Sequence, residues 1–204
     1  LENLRAEKMP DRVDPMLAKM ALLPPAPDDG WAFELKWDGV RVLGFADRGD
    51  WRMQSRRFED VTFRYPELAA IAEQLSDRAA VIDGEVVSLD RKGRPSFQLI
   101  QQRMGLASAA AVKSRGNETP VDYMIFDLLH LDGRSTRELP YPQRRELLHS
   151  LGLEGPRWHT PRHHVGGGAE LFEAARRQGL EGVVGKRLDS PYHPGKRTGE
   201  WIKK

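Results

Sequence analysis

Lys36 closes an alternating run, Trp31-Ala32-Phe33-Glu34-Leu35-Lys36, and Asp38-Gly39 follows almost at once. Alternation puts Trp31, Phe33 and Leu35 on one face of a strand and Ala32, Glu34 and Lys36 on the other, so an amine and a carboxylate project together. A free amine is a nucleophile. In water a lysine has a pKa of about 10.4 and is protonated at neutral pH; neighbouring cations, a metal or burial would release its lone pair. Arg41, Lys186 and Lys203 are the basic partners the chain has to offer. Taken alone, Lys-x-Asp-Gly reads more readily as a structural or solvated lysine.

Four later stretches add to it. Val81-Ile82-Asp83-Gly84-Glu85-Val86-Val87 carries Asp83 and Glu85 on one face of an apolar strand, and burying two carboxylates costs several kcal/mol unless they are paired. Tyr123-Met124-Ile125-Phe126-Asp127 sets an aromatic before an acid, although Phe126 by itself reads as plain core. Glu181-Gly182-Val183-Val184-Gly185-Lys186 opens with an acid and closes with a base. Five residues apart, that pair faces oppositely on a regular strand unless a bulge intervenes, so a structural role for Lys186 stays open. Trp201-Ile202-Lys203 places an aromatic and a lysine on the same face.

The elements that must position these groups read as mixed strands and helices. Residues 1–30 are irregular, punctuated by five prolines. Strands are expected at 31–36, 40–47, 51–55, 80–89, 121–129, 182–186 and about 200–203. Asp38-Gly39 predicts a hairpin joining the first two, which would swing Arg41 round toward Lys36. Helices are expected over 66–78, 96–104, 141–151 and 169–178, the last stopped by Gly179, with 105–120 a mobile loop containing a helical turn. Hairpin-like clustering favours an α+β fold with two mainly antiparallel sheets and flanking helices, forming one domain over residues 1–204.

Composition is that of an ordinary globular chain: 39% hydrophobic and 30% charged residues, with a net charge of +2. The absence of cysteine excludes disulfides and thiolate metal sites and suits a reducing, cytosolic compartment. No apolar run approaches a membrane span and the N-terminus lacks a signal-peptide core. The six histidines show no metal spacing, and His163-His164 reads as a solvated loop. Basic clusters at Arg52, Arg56 and Arg57 and at Lys196, Arg197, Lys203 and Lys204 could meet phosphates.

In order and spacing, the five stretches resemble the motifs of the covalent nucleotidyltransferases: ATP-dependent DNA ligases, RNA ligases and capping enzymes. Glu-Leu-Lys-Trp-Asp-Gly-Val-Arg at 34–41, with Ser55-Arg56-Arg57-Phe58, is similar to ATP-dependent DNA ligases. Pro15-Met16-Leu17-Ala18 and Phe126-Asp127-Leu128-Leu129-His130-Leu131-Asp132-Gly133 resemble bacterial ligases of the end-joining ligase D type and their ligase C relatives. The resemblance covers about residues 13–204.

It implies that Lys36 attacks the α-phosphorus of ATP, releases pyrophosphate and holds AMP through a phosphoramide bond. It implies that Glu34 meets the adenine, that Arg41 and Arg56 contact the ribose or the nick phosphate, and that Phe126 stacks on the base. Glu85 lies near ribose and metal, Glu181 assists Mg²⁺ or Mn²⁺, Lys203 meets the α-phosphate and Lys186 is a further phosphate contact. The set makes chemical sense, because phosphoryl transfer needs positioning, charge neutralisation and a carboxylate-held divalent ion.

Ligases of this type continue into an OB domain, whereas this sequence stops at Lys204, one residue short of the second lysine of Trp-x-Lys-x-Lys. The expectation is therefore an adenylation domain, monomeric, acting on nicked or broken double-stranded DNA with an OB domain or other end-joining modules supplied elsewhere, and sealing nicks slowly or not at all alone. The alternatives are an RNA ligase, a capping-type guanylyltransferase, or a nucleotide- or DNA-binding module without chemistry.

Overall fold

The Val-, Ile- and aromatic-rich alternations form the strands of two sheets in a computed structural model that describes residues 4–204. In chain order the strands are β1 (Lys19–Met20), β2 (Trp31–Leu35), β3 (Val40–Asp47), β4 (Asp50–Ser55), β5 (Ala79–Val87), β6 (Asp122–Leu131), β7 (Arg134–Ser135), β8 (Trp158–His159), β9 (His164–Val165), β10 (Val183–Arg187) and β11 (Trp201–Lys203). The helices are α1 (Ile71–Leu75), α2 (Phe97–Met104), α3 (Ala109–Arg115), α4 (Tyr141–Ser150) and α5 (Gly168–Arg177). One sheet runs β1-β11-β10-β2-β9 and the other β4-β3-β5-β6-β7, with β8 beside β6. Among the described residues, only the β1–β11 and β6–β8 pairs are parallel. The fold is α+β with two mainly antiparallel sheets, as the sequence predicts.

The predicted hairpin at Asp38-Gly39 does not form. β2 pairs with β10 and β9 in one sheet, whereas β3 pairs with β4 and β5 in the other. Trp37, Asp38 and Gly39 are therefore a crossover between sheets. Gly39 passes so close to the Val86 carbonyl and side chains of β5 that a β-carbon there would collide with them. Both faces of β2 are covered: Ala32, Phe33 and Glu34 are all buried, because this strand lies inside its sheet.

Two helix expectations shift. Residues 66–78 contain a 3₁₀ turn at Pro66–Leu68 and only a short α1, ended by Ser76 with φ of 52°. The stretch 105–120, expected as a loop, holds α3 and a following 3₁₀ turn. Its signal is Ser108, whose side chain accepts the Ala111 N–H at 3.2 Å as an N-cap. Ser96 caps α2 in the same way. The start of α5 is secured from far along the chain, where the Asp28 carboxylate accepts the N–H groups of Gly167 and Gly168, each at 2.9 Å.

The main core lies against the β3–β6 sheet and collects Val42, Met53, Tyr65, Leu68, Ile82, Tyr123, Ile125, Leu148 and Trp158. A second cluster, with Val13, Met16, Leu43, Val81, Leu129, Tyr192 and Trp201, joins the N-terminal segment to the other sheet. That segment is stitched down by backbone hydrogen bonds from Leu17 to Lys196 and from Gly195 to Asp14. A cleft opens between the sheets above this second cluster. Among the described residues, no helix is long and apolar enough to cross a membrane.

Candidate active site

The cleft has a volume of about 240 Å³, and its lining includes Glu34, Lys36, Arg41, Arg56, Glu85, Phe126, Lys186 and Lys203. These come from seven different strands or their ends. Lys36 stands one residue past β2, with its backbone N–H donating to the Gly182 carbonyl at 2.9 Å. That bond draws the turn before β10 alongside, and the Lys36 ammonium forms an ion pair with the Glu181 carboxylate. Gly182 leaves no room for a β-carbon against the Lys204 carbonyl, which explains glycine at this close approach. The expected disagreement between Glu181 and Lys186 is resolved without a bulge. Glu181 precedes the strand and faces Lys36, while Lys186 lies within β10 and points into the cleft.

Lys186 is 1% exposed, with its Nζ 2.8 Å from Glu34 Oε2 and lying over the rings of Trp201, Phe126 and Tyr141 at 4.2, 4.6 and 5.0 Å. Burial lowers the pKa of this ammonium while Glu34 opposes the shift. Burial also pushes the Glu34 carboxyl up, but Lys186 and Arg145 outweigh it and hold the group below the ordinary carboxylate value. Tyr141 donates its hydroxyl to Glu34 Oε1 at 2.5 Å. The base-facing acid predicted from sequence is thus part of a buried charge cluster, and Lys186 has a structural partner as well as a place in the cleft.

Arg41 is tied down on the inner side of the cleft. Its guanidinium makes a two-pronged pair with Asp83, at 2.5 and 2.6 Å, and donates to the Met16 carbonyl at 3.3 Å. Tyr192 donates its hydroxyl to the same Asp83 carboxylate at 2.6 Å. Asp83 is fully buried, so its charge is spent on this network and it is no metal acid. Arg41 also lines the cleft, with its guanidinium 4.7 Å from the Phe126 ring centroid. Arg56, in the turn after β4, is exposed and stands at the cleft's rim.

Glu85 sits on β5 opposite Arg41, in register across the sheet. Burial pushes its carboxyl up to about 8; Arg41 opposes this and Asp83 adds to it, and the charges of Lys36 and Glu181 also reach it. Glu85 and Glu181 therefore flank Lys36 from the two sheets. The donor set suits a hard divalent cation that keeps several waters and shares phosphate oxygens, which needs only one or two carboxylates. Among the described residues, no group of three or more metal-ligating side chains is assembled without such a phosphate.

The sequence reading missed several walls of the cleft, among them Leu17, Ala18, Trp37, Val184 and Arg197. Arg197 belongs to the basic cluster noticed near the C-terminus, and it is fixed by donating to the Ala18 carbonyl at 2.6 Å. Tyr141 and Arg145 on α4 gave no local signal.

Residues 14–204 match the family model described as ATP dependent DNA ligase domain. The chain belongs to the ATP-dependent DNA ligase domain family. It is 42% identical over 193 residues to the multifunctional non-homologous end joining DNA repair protein LigD of Mycobacterium tuberculosis, covering 95% of this chain and 24% of that protein. It is 37% identical over 192 residues to DNA ligase C1 of Mycolicibacterium smegmatis, covering 91% of this chain and 54% of that one. A solved structure, mycobacterial DNA ligase D complexed with ATP and MES, superposes with a TM-score of 0.81 at 42% identity, covering 95% of this chain and 60% of that chain. This ligase domain thus spans about a quarter to a little over half of the length of these relatives.

Proposed function

We propose that this chain is the adenylation module of a DNA ligase and that Lys36 is its nucleophile. The Lys36 nitrogen attacks the α-phosphorus of ATP, a P–N bond forms, the bond to the bridging oxygen breaks and pyrophosphate leaves. AMP is then passed to a 5′-phosphate at a nick or break in double-stranded DNA, in end-joining repair. The observation that carries the reading is the Lys36–Glu181 ion pair at a cleft that also holds Phe126, Lys186 and Lys203.

In this reading Phe126 supplies the face on which adenine stacks and Glu34 accepts from the edge of the base. Lys203, and Lys186 from deeper in the cleft, neutralise phosphate charge, while Arg56 at the rim meets ribose or the nick phosphate. Arg41 acts from beneath the base, oriented by Asp83. Glu85 and Glu181 would hold Mg²⁺ or Mn²⁺, which supplies charge neutralisation on the phosphate oxygens and makes the lysine amine easier to deprotonate. Glu181 holds the Lys36 ammonium in place before reaction. The OB domain and other end-joining modules of whole ligases are the proposed partners for sealing.

The test is incubation with α-labelled ATP or GTP, followed by a chase with nicked DNA. Label retained from ATP and passed to the DNA 5′-phosphate supports the reading. Preference for GTP, or transfer to RNA ends alone, would overturn it.

A further inference from the structure

Arg145, on the second turn of α4, is 6% exposed and is poorly satisfied. Its Nη2 donates to the Pro161 carbonyl at 2.5 Å, but among the described residues its Nε and Nη1 have no hydrogen-bond partner. A buried guanidinium with two unmatched nitrogens is expensive to keep. Its remaining close relation is to charge: Nη1 lies 4.0 Å from Glu34 Oε1, the oxygen that also receives the Tyr141 hydroxyl. On the other oxygen, Lys186 Nζ stands at 2.8 Å. Two cations and a phenol therefore surround a single carboxylate that lines the nucleotide cleft.

A carboxylic acid can donate as well as accept, and it can rotate its proton between oxygens. A carboxylate is an acceptor on both oxygens, each with two lone-pair sites. Tyr141 fills one site on Oε1, and Lys186 Nζ, which among the described residues makes no hydrogen bond of regular geometry, approaches Oε2 only as an ion pair, so acceptor capacity remains on the carboxylate. Adenine offers a matching donor in its 6-amino group, where guanine carries an acceptor oxygen.

Building on the reading of Glu34 as the base contact, we infer that Tyr141 and Arg145 are positioning residues for nucleotide selection: they hold Glu34 as an oriented, acceptor-only carboxylate for the 6-amino group of adenine. Neither need touch the nucleotide. The low pKa of Glu34, set by Lys186 and Arg145 against burial, accords with this arrangement.

The experiment measures binding of AMP and of purine riboside 5′-monophosphate, which is AMP without its 6-amino group, so that no chemical step intervenes. The native chain is expected to prefer AMP by about tenfold, the scale of one hydrogen bond to a charged group. In Tyr141→Phe and Arg145→Met the ratio of the two dissociation constants falls toward one, and Arg145→Lys, which keeps the charge, retains most of it. Weaker binding of both nucleotides with the ratio unchanged would mean that the two residues only pack, and would overturn the inference. Glu34→Leu, which removes the acceptor, separates the levels. If it abolishes the preference while the α4 variants leave it intact, this inference fails and the Glu34 reading stands. If Glu34→Leu keeps the preference, the Glu34 reading fails too. Should Arg145→Met not fold, Tyr141→Phe, which loses only a hydroxyl, decides the matter.

Discussion

The Lys36 ammonium and the Glu181 carboxylate face each other as an ion pair between the end of β2 and the turn before β10. Because the Lys36 N–H also binds the Gly182 carbonyl, the two side chains are placed by one continuous strand pairing and not by chance rotamers. Glu181 is 39% exposed at its side chain, so its charge is not needed to hold the core. Glu181→Gln should therefore fold normally but slow AMP transfer to Lys36 by roughly 100-fold and raise the metal concentration needed. Rates at graded Mg²⁺ check this; an unchanged rate and metal dependence would count against a role in the reaction.

Asp83 and Arg41 present the opposite balance, since the carboxylate is wholly buried. Asp83→Asn leaves the partly buried Arg41 guanidinium without its counter-charge and should cost about 3 kcal/mol of stability. Urea denaturation measures this directly, and a loss below about 1 kcal/mol would show that the pair is dispensable.

Glu85 makes a pH-dependent contribution of known sign. Its ordinary value is 4.5 and burial raises it to about 8 in the folded chain. Between these values the folded state binds more protons than the unfolded state, so stability falls as pH rises through the window. Relative to Glu85→Gln, the native chain should lose about 1–2 kcal/mol on going from pH ~5 to pH ~8, the cleft's water reducing the full effect. Chemical denaturation of both proteins across that range tests the sign. Parallel curves would contradict it.

Phe126 is 8% exposed and offers its ring to the cleft. Phe126→Ala should weaken ATP binding by roughly tenfold or more, from the loss of base stacking, whereas Phe126→Trp should retain most of the affinity. Equal losses in both would indicate that the ring serves packing alone.

Much of this site was legible because its residues sit on strands whose alternation is strong. Glu34 with Lys36, Asp83 with Glu85, and Trp201 with Lys203 each share a side of one strand and meet in or beside one cleft. What misled was local turn chemistry. Asp38-Gly39 is a strong hairpin signal, but β2 is held by β10 and β9, residues far along the chain, and strand choice is a tertiary matter. Pro66 likewise suggested a full helix that the 3₁₀ turn and the left-handed Ser76 cut short. The contributions of Asp83 to Arg41 and of Tyr141 and Arg145 to Glu34 had no sequence signal, because each joins residues 42 to 111 positions apart.

The proposed activity depends on a covalent link between Lys36 and AMP. Intact-mass measurement of the native chain and of Lys36→Ala after incubation with ATP and Mg²⁺ detects it. The native chain should gain one AMP, released by acid as expected for a phosphoramide, and Lys36→Ala should gain none. Adenylation of Lys36→Ala, or a native chain that binds ATP yet never gains that mass, would contradict it.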